Sequence, residues 1–316
     1  MKRRVQRSFE ALVELAIKLA GVASIVFVVL ILVFLLKDAV PVLSSTPLGE
    51  LVAGQQWRPT SEPAKLGFLP LILGSLVVGA GALMLAIPLG IACATFLSEV
   101  VPTHVREIVK PIVEVLAAIP SVVYGFVGLL IVGDWLRRTA GSAGEALPGP
   151  DWLTAALNMP TGMAAITGAI MLALMTLPTI VSISEDALNA VPRSYREASW
   201  ALGATRWETT VRVTLPAARS GIIAGVMLGI GRVVGETMTV LMVTGNSPVI
   251  PSLTKGLFRP VRTMTATIAA EMGETAHNTE HYHALFMLGL LLFLITFAVN
   301  TVADFVTNAN KHVETR

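Results

Sequence analysis

An all-α integral membrane protein with six transmembrane helices is the fold class this sequence predicts. Three observations carry it: low charge, high hydropathy and six long apolar stretches. Charged residues are 14% of the 316-residue chain, hydrophobic residues are 54%, and mean hydropathy is +0.72. A soluble domain normally carries about 25% charged residues. The formal net charge of +2 is too small to point to nucleic acid. Only the placement of the basic residues along the chain is informative.

A membrane-crossing helix needs about 20 mostly apolar residues. The stretches at 15–36, 68–98, 111–133, 162–184, 219–244 and 283–306 meet that requirement. The first follows Met1-Lys-Arg-Arg, Arg7 and Lys18. Its apolar run, Leu19 to Leu36, exceeds the roughly 7–15 residues of a signal-peptide core and lacks a small-x-small cleavage site, so it reads as a retained span. The second contains Gly74, Gly79, Gly81, Pro88 and Gly90, which make it bendable. Neighbouring helices can satisfy the backbone groups that such residues release. Cys93, the only cysteine, excludes an intrachain disulfide and a Cys-rich metal site, and it reads as a small packing residue.

Lysine and arginine in the connections set the orientation. Fourteen lie on the side of both termini and of the 185–218 connection, eight lie on the other side, and Arg232 falls inside a span. The positive-inside rule then places both termini and the 185–218 loop in the cytoplasm, with 37–67, 134–160 and 245–282 outside. The outer segments are rich in Pro, Gly and Ser, among them Pro41, Ser44, Ser45, Pro47, Gly141, Gly144, Pro148 and Pro150. That composition predicts exposed connections rather than folded domains. His277, His281 and His283 are too loosely spaced to define a metal site.

The 185–218 loop carries the most informative pattern. Ser194-x-x-Glu197 fits a capping box, which predicts a short helix from about Tyr195. Gly203 suits the left-handed position that ends a helix. Thr205-x-x-Glu208 is a second capping box, and Trp200, Ala204, Trp207 and Val211 recur at near-helical spacing. Leu215-Pro216 closes the unit, with Pro216 suited to the first turn of the next span. A DNA-reading helix-turn-helix shares the Gly-containing turn, but both ends here enter membrane spans directly. Spacing alone leaves two readings open, a docking element for a partner and an amphipathic loop on the bilayer surface.

Inside the fifth span, Arg232 and Glu236 are four residues apart, which on a continuous helix puts them on one face. Each ionised group at membrane centre costs about 2.5–3.5 kcal/mol on insertion scales. The pair is therefore either a structural ion pair or part of an anion path. Guanidinium offers a planar fork to an oxyanion. A nearby carboxylate would keep the anion from binding too tightly and accept a proton that phosphate carries and sulfate lacks. Gly221, Gly225 and Gly229 form a small-residue stripe for close helix packing.

Glu197-Ala198, Gly203 and Leu215-Pro216 resemble the EAA loop of ABC importer permeases, E-A-A-x3-G-x9-I-x-L-P. Ser199 replaces the second alanine and Val213 the isoleucine. The resemblance implies a MetI-like bundle of the type I ABC importer kind. It also implies that the loop docks in a groove of an ATP-binding subunit, with Glu197, Ala198 and Gly203 at the centre of the interface. No G-x4-G-K-[ST] phosphate loop is present, so ATP and Mg would be bound by the partner ATPases and no cofactor by this chain. A narrower similarity, to phosphate-specific importer permeases, lies in Gly229-Ile-Gly-Arg-Val-Val-Gly-Glu-Thr-Met-Thr239, Ala118-Ile-Pro-Ser-Val-Val-Tyr-Gly125 and Gly245-Asn-Ser-Pro-Val-Ile-Pro251. Arg262-Thr-Met-Thr-Ala-Thr-Ile-Ala, Glu271-Met-Gly-Glu274 and His281-Tyr282 resemble the PstC type rather than its PstA partner.

The resemblance divides the chain into an N-terminal segment 1–67, a permease core 68–306 and a tail 307–316. It implies a multi-pass inner-membrane subunit with a PstA-like permease, two PstB-like ATPases and a PstS-like phosphate-binding protein as partners. Sulfate, molybdate or phosphonate permeases would share the loop and differ around Arg232 and Glu236. A secondary transporter would need no such loop, and a scaffold would tolerate loss of the charged pair.

Overall fold

Helices form where the apolar stretches predict them, but prolines, glycines and buried charges decide where they stop. The computed structural model describes residues 2–146, 159, 161–252 and 256–314. The readings at Pro148, Pro150, Lys255 and Arg316 lie outside these residues. Helix α1 (Lys2–Ala39) holds the first predicted span and continues it toward the N-terminus. Its apolar side chains, Val22, Ile25, Phe27 and Leu30 among them, are exposed. Only the end of α1 packs inward, where Phe34 meets Phe286 edge-on at 5.5 Å.

The following outer segment is not merely a connection. It forms α2 (Leu48–Ala53) and an antiparallel pair, β1 (Trp57–Arg58) with β2 (Lys65–Leu66), in which Trp57 faces Leu66. Leu51, Trp57, Leu66 and Phe68 are buried against Leu285 and Leu288. Their burial offsets the polar, Pro-rich composition that predicts an exposed segment.

Helix α3 (Leu69–Glu99) buries one face built from Gly74, Val78, Ala82, Ala86, Gly90 and Ala94. The four-residue spacing of small side chains lets neighbouring backbones approach closely. Cys93, next to buried Ala94, is itself exposed, so it is not the inward packing residue its apolar setting predicts.

The third predicted span, 111–133, breaks. Helix α4 (Thr103–Ala117) ends before Pro120, and Ser121–Ser142 leaves at 89° to it. Pro120 disfavours the helical conformation at the residue before it. Beyond the break the chain forms α5 (Ser121–Val127), a π-helical turn and α6 (Gly133–Ala146).

Helix α7 (Ala165–Asn189) is the central and most buried helix, and it outruns the predicted 162–184 by five residues at its C-terminal end. The 185–218 segment then forms α8 (Arg193–Ala201), α9 (Arg206–Thr209), a π-helical turn and α10 (Leu215–Ala217). The fifth span is α11 (Arg219–Gly235), followed after a break by α12 (Met238–Val243). Added Cβ atoms would meet Ala187 at Gly221 at 2.4 Å and Ile180 at Gly229 at 2.9 Å. The predicted glycine stripe is thus the α7–α11 contact. Helix α13 (Met264–Glu271) and the long α14 (Glu280–Glu314) complete the bundle. Among the described residues, four helices are long and apolar enough to cross a membrane, and six segments are if each bent pair counts as one span.

Gly74 sets the distance between α3 and the loop before α13, because a Cβ there would lie 2.2 Å from the Arg262 carbonyl oxygen. Gly74→Ala is predicted to destabilise the fold by about 1–3 kcal/mol through overpacking. Gly21→Ala, with nothing within 4 Å, should leave the thermal unfolding midpoint unchanged. Equal midpoints for both variants would contradict the close-packing account.

Candidate functional site

The segment after α7 is a handle of two short helices. Helix α8 ends in a Schellman arrangement, with Gly203 at φ +85°. The Gly203 N–H donates to Trp200 O at 2.9 Å and the Ala204 N–H to Ser199 O at 3.2 Å. Helix α9 opens with both halves of the capping box, Thr205 Oγ1 accepting from the Glu208 N–H and Glu208 Oε2 from the Thr205 N–H. The first predicted box does not form. Pro192 takes the N-cap position of α8 and no side chain caps it, which leaves Ser194 inside the first turn. Ser199, which departs from the EAA pattern, lies 2.9 Å from Thr209 Oγ1 and ties the two helices together.

Pro216 also sits elsewhere than predicted. It lies in α10, the handle's last turn, and Ala218 then bends the chain by 69° into α11. A proline cannot donate to the turn before it. The preceding turn is wide, with the Leu215 N–H donating to Thr210 O.

One surface of the handle faces outward, with Glu197, Ala198 and Gly203 exposed beside Trp200, Trp207 and Leu202, which is 90% exposed. Exposed tryptophans next to an exposed leucine are an unusual display on a monomer. Glu197 also lines a polar cleft of about 520 Å³ with Arg106, Arg193 and Arg206. Leu215 lies at the base instead, packed against Ala94, Leu188, Val191 and Ile222. The predicted coupling residues therefore divide into an outer face and an anchor. Arg196 strengthens that anchor. Its Nη2 donates to Glu99 at 2.7 Å and to Leu188 O at 2.9 Å, and its Nη1 donates to Val191 O at 2.8 Å.

Arg232 and Glu236 are not a helical pair. Helix α11 stops at Gly235, and Glu236 has extended backbone, φ −71° and ψ 132°. The four-residue spacing therefore no longer places the two side chains on one face, and no ion pair joins them. Arg232 Nη1 donates to Thr179 Oγ1 at 3.2 Å and its Nη2 to Ala117 O at 3.1 Å. Both acceptors are neutral, so among the described residues no carboxylate neutralises this guanidinium. Glu236 Oε1 accepts from the Thr239 N–H at 3.0 Å, which caps α12. Its carbonyl accepts from Thr265 Oγ1 at 2.9 Å. The Glu236 side chain borders a mostly apolar pocket of about 300 Å³ between α3, α11, α12, α13 and α14.

Residues 86–311 match the family described as binding-protein-dependent transport system inner membrane component. The chain belongs to this family. Within it the chain is of the PstC type: it is 39% identical over 259 residues to the phosphate transport system permease protein PstC of Mesorhizobium japonicum, covering 81% of this chain and 77% of that one. It is 32% identical over 304 residues to PstC 2 of Mycobacterium bovis, covering 95% and 92%. A probable ABC transporter permease protein of Bacillus subtilis, YqgH, is 36% identical over 262 residues, covering 83% and 78%.

The fold also resembles solved permeases. A bacterial ABC transporter involved in the import of alginate matches with TM-score 0.53 at 15% identity, covering 77% of this chain and 79% of that one. An inward-facing MetNI methionine transporter matches with TM-score 0.51 at 17% identity, covering 76% and 92%. At these identities the likeness concerns fold alone.

The permease contains a polar seam that the sequence reading missed, because it placed Glu185 in the loop. Glu185 is 1% exposed near the end of α7. Lys110 Nζ of α4 lies 2.8 Å from its Oε2, and Arg106 Nε lies 3.6 Å from its Oε1. Asn189 Nδ2 donates to Glu185 and Lys110 also pairs with Asp186. Arg106 Nη1 donates to Asn189 Oδ1 at 2.7 Å, and Ser182 Oγ donates to Glu114 at 3.3 Å. The signal was present in the sequence. Arg106, Lys110 and Glu114 recur every four residues, while Ile108, Ile112 and Val115 on the same helix are exposed. Helix α4 thus turns Arg106 and Lys110 toward α7 and leaves Ile108, Ile112 and Val115 on its exposed surface beside Glu107.

The permease's outward histidines separate. His281 Nε2 lies 2.7 Å from Glu271 Oε2, His283 Nδ1 lies 2.7 Å from Asp38 O, and the His277 ring stacks edge-on with Tyr282 at 5.1 Å. Glu271 also accepts from Arg262 Nη2 at 2.7 Å and from the Trp57 indole N–H at 3.1 Å. Burial alone would raise the Glu271 carboxyl, but the hydrogen bond from His281, the Arg262 charge and the Trp57 donor outweigh it and hold it below the ordinary value of 4.5. The folded value is thus below the unfolded one. The resulting stabilisation is complete above pH 4.5 and is lost as pH falls through the folded value. Glu271→Gln is predicted to lower the unfolding midpoint at neutral pH and to flatten its acid dependence. An unchanged acid limb in a pH-resolved melting series would count against this.

Proposed function

We propose that the chain is the PstC-type permease subunit of an ATP-driven importer of inorganic phosphate. The observation that carries this reading is the identity to PstC permeases, which extends over most of both chains. In the working complex it pairs with a PstA-like permease. Two PstB-like ATPases bind ATP and Mg, and a PstS-like protein delivers phosphate on the outer face. The chain itself breaks no bond and holds no cofactor. Both termini and the handle lie in the cytoplasm of an inner-membrane complex, which agrees with the excess of Lys and Arg on that side.

The chemistry of the path centres on Arg232. Neutral acceptors position its fork without consuming its charge, so the guanidinium can offer two N–H groups to a passing oxyanion. Glu236 acts beside it by capping α12 and so holding open the break that follows Gly235. The handle presents Glu197, Ala198 and Gly203 to an ATPase, while Leu215 holds its base against the bundle and Pro216 ends it.

Phosphate uptake in cells lacking their own high-affinity importer tests the path. Arg232→Gln should lower uptake by about 10–100-fold, the worth of a hydrogen bond to a charged group, while the subunits still co-purify. Undiminished uptake by an assembled Arg232→Gln complex would overturn the assignment.

A further inference from the structure

Helix α4 connects the two ends of this mechanism. At the handle end, Arg196 of α8 grips Glu99 and the carbonyls of Leu188 and Val191, adjacent to Asn189. Asn189 and Glu185 hold Arg106 and Lys110 of α4. Ser182 and Glu114 continue the contact one turn further. At the far end, the carbonyl of Ala117, the last residue of α4, accepts from Arg232, and Thr179 of α7 accepts from the same guanidinium. The α7 residues 189, 185, 182 and 179 thus line one helical face, opposite 106, 110, 114 and 117 of α4. Arg106 and Ala117 are about 16 Å apart along α4, which runs on through Pro111.

We infer that this seam is the link through which the handle acts on Arg232, and that Glu185 is the positioning residue that keeps the link engaged. The inference rests on the reading of Arg232 as the anion contact. An apolar helix contact would pack as well and avoid burying charge. A seam of paired charges does something different, because it has one register. Sliding α4 along α7 takes both cations, Lys110 and Arg106, away from the buried Glu185 carboxylate and leaves it only the neutral Asn189 amide. Displacement of the α7 end by the handle is therefore carried along α4 as a rigid-body shift rather than absorbed by slippage. Because α4 turns by 89° into the next helix just beyond Ala117, that shift arrives where the carbonyl holds Arg232.

The assembled complex provides the test, with Cys93→Ser removing the exposed native thiol and Ala118→Cys reporting next to the Arg232 acceptor. With the seam intact, a non-hydrolysable ATP analogue should change the labelling rate of that cysteine by about fivefold or more, the lower range of coupled sites. In Glu185→Gln the change should shrink to within about twofold although the ATPases still co-purify, and Glu185→Asp, which keeps the charge, should recover part of it. An undiminished response in Glu185→Gln, or no response with the seam intact, would overturn the inference. If Glu185→Gln does not assemble, Lys110→Gln is read the same way, since Arg106 and Asn189 still satisfy the carboxylate. Failure of both to assemble would make the seam scaffolding and also overturn it. The readout is thiol labelling, so it is independent of which anion is carried. A failure of the phosphate reading would appear in uptake by Arg232→Gln instead.

Discussion

The carboxylate of Glu185 is the constraint on which most of this arrangement depends. It is 1% exposed inside the bundle, so its charge must be met by neighbours rather than by water. Lys110 and Arg106 meet it, and this requirement fixes which face of α4 turns inward. The orientation of α4 then places Ala117 against Arg232 and brings the chain to the break at Pro120. The fifth span follows the same logic, because Arg232 finds its acceptors on α4 and α7 rather than on its own helix.

What could be read from the sequence was local. The Thr205–Glu208 box and Gly203 act over a few residues, and both appear as predicted. Ser194 failed because Pro192, two residues earlier, takes the N-cap position. The six spans were legible from hydropathy, whereas the breaks at Pro120 and after Gly235 were not. Arg232 and Glu236 show the consequence most clearly. Their spacing implies a shared face only on an unbroken helix, and the helix stops between them. Glu185 could not have been matched to its cations by local spacing, because Lys110 and Arg106 lie 75 and 79 positions earlier in the chain. The Trp57–Glu271 contact, which folds the outer segment onto the bundle, was hidden for the same reason.

The handle and Arg232 occupy separate parts of the chain, and their chemistry differs accordingly. The handle's outer surface displays Trp200, Leu202 and Trp207 beside Glu197, suited to burial by a partner, and its base is held by an arginine with one carboxylate and two carbonyl acceptors. Arg232 is held by neutral oxygens and keeps its charge. A transport cycle needs both properties, a surface that a moving partner can grip and a cation whose setting changes when it is gripped. Solved ABC importer permeases share the fold, and the cargo and coupling proposed for this chain rest on particular positions within it.

The central claim, that the handle drives an anion path, is tested most directly by measuring ATP hydrolysis and phosphate accumulation together in proteoliposomes that carry the full complex. Gly203→Pro is the informative variant, because the position has φ +85° and proline is confined to negative φ. The account predicts that the wild-type complex accumulates phosphate as ATP is hydrolysed and that Gly203→Pro does not. Accumulation at the wild-type rate in Gly203→Pro would contradict it.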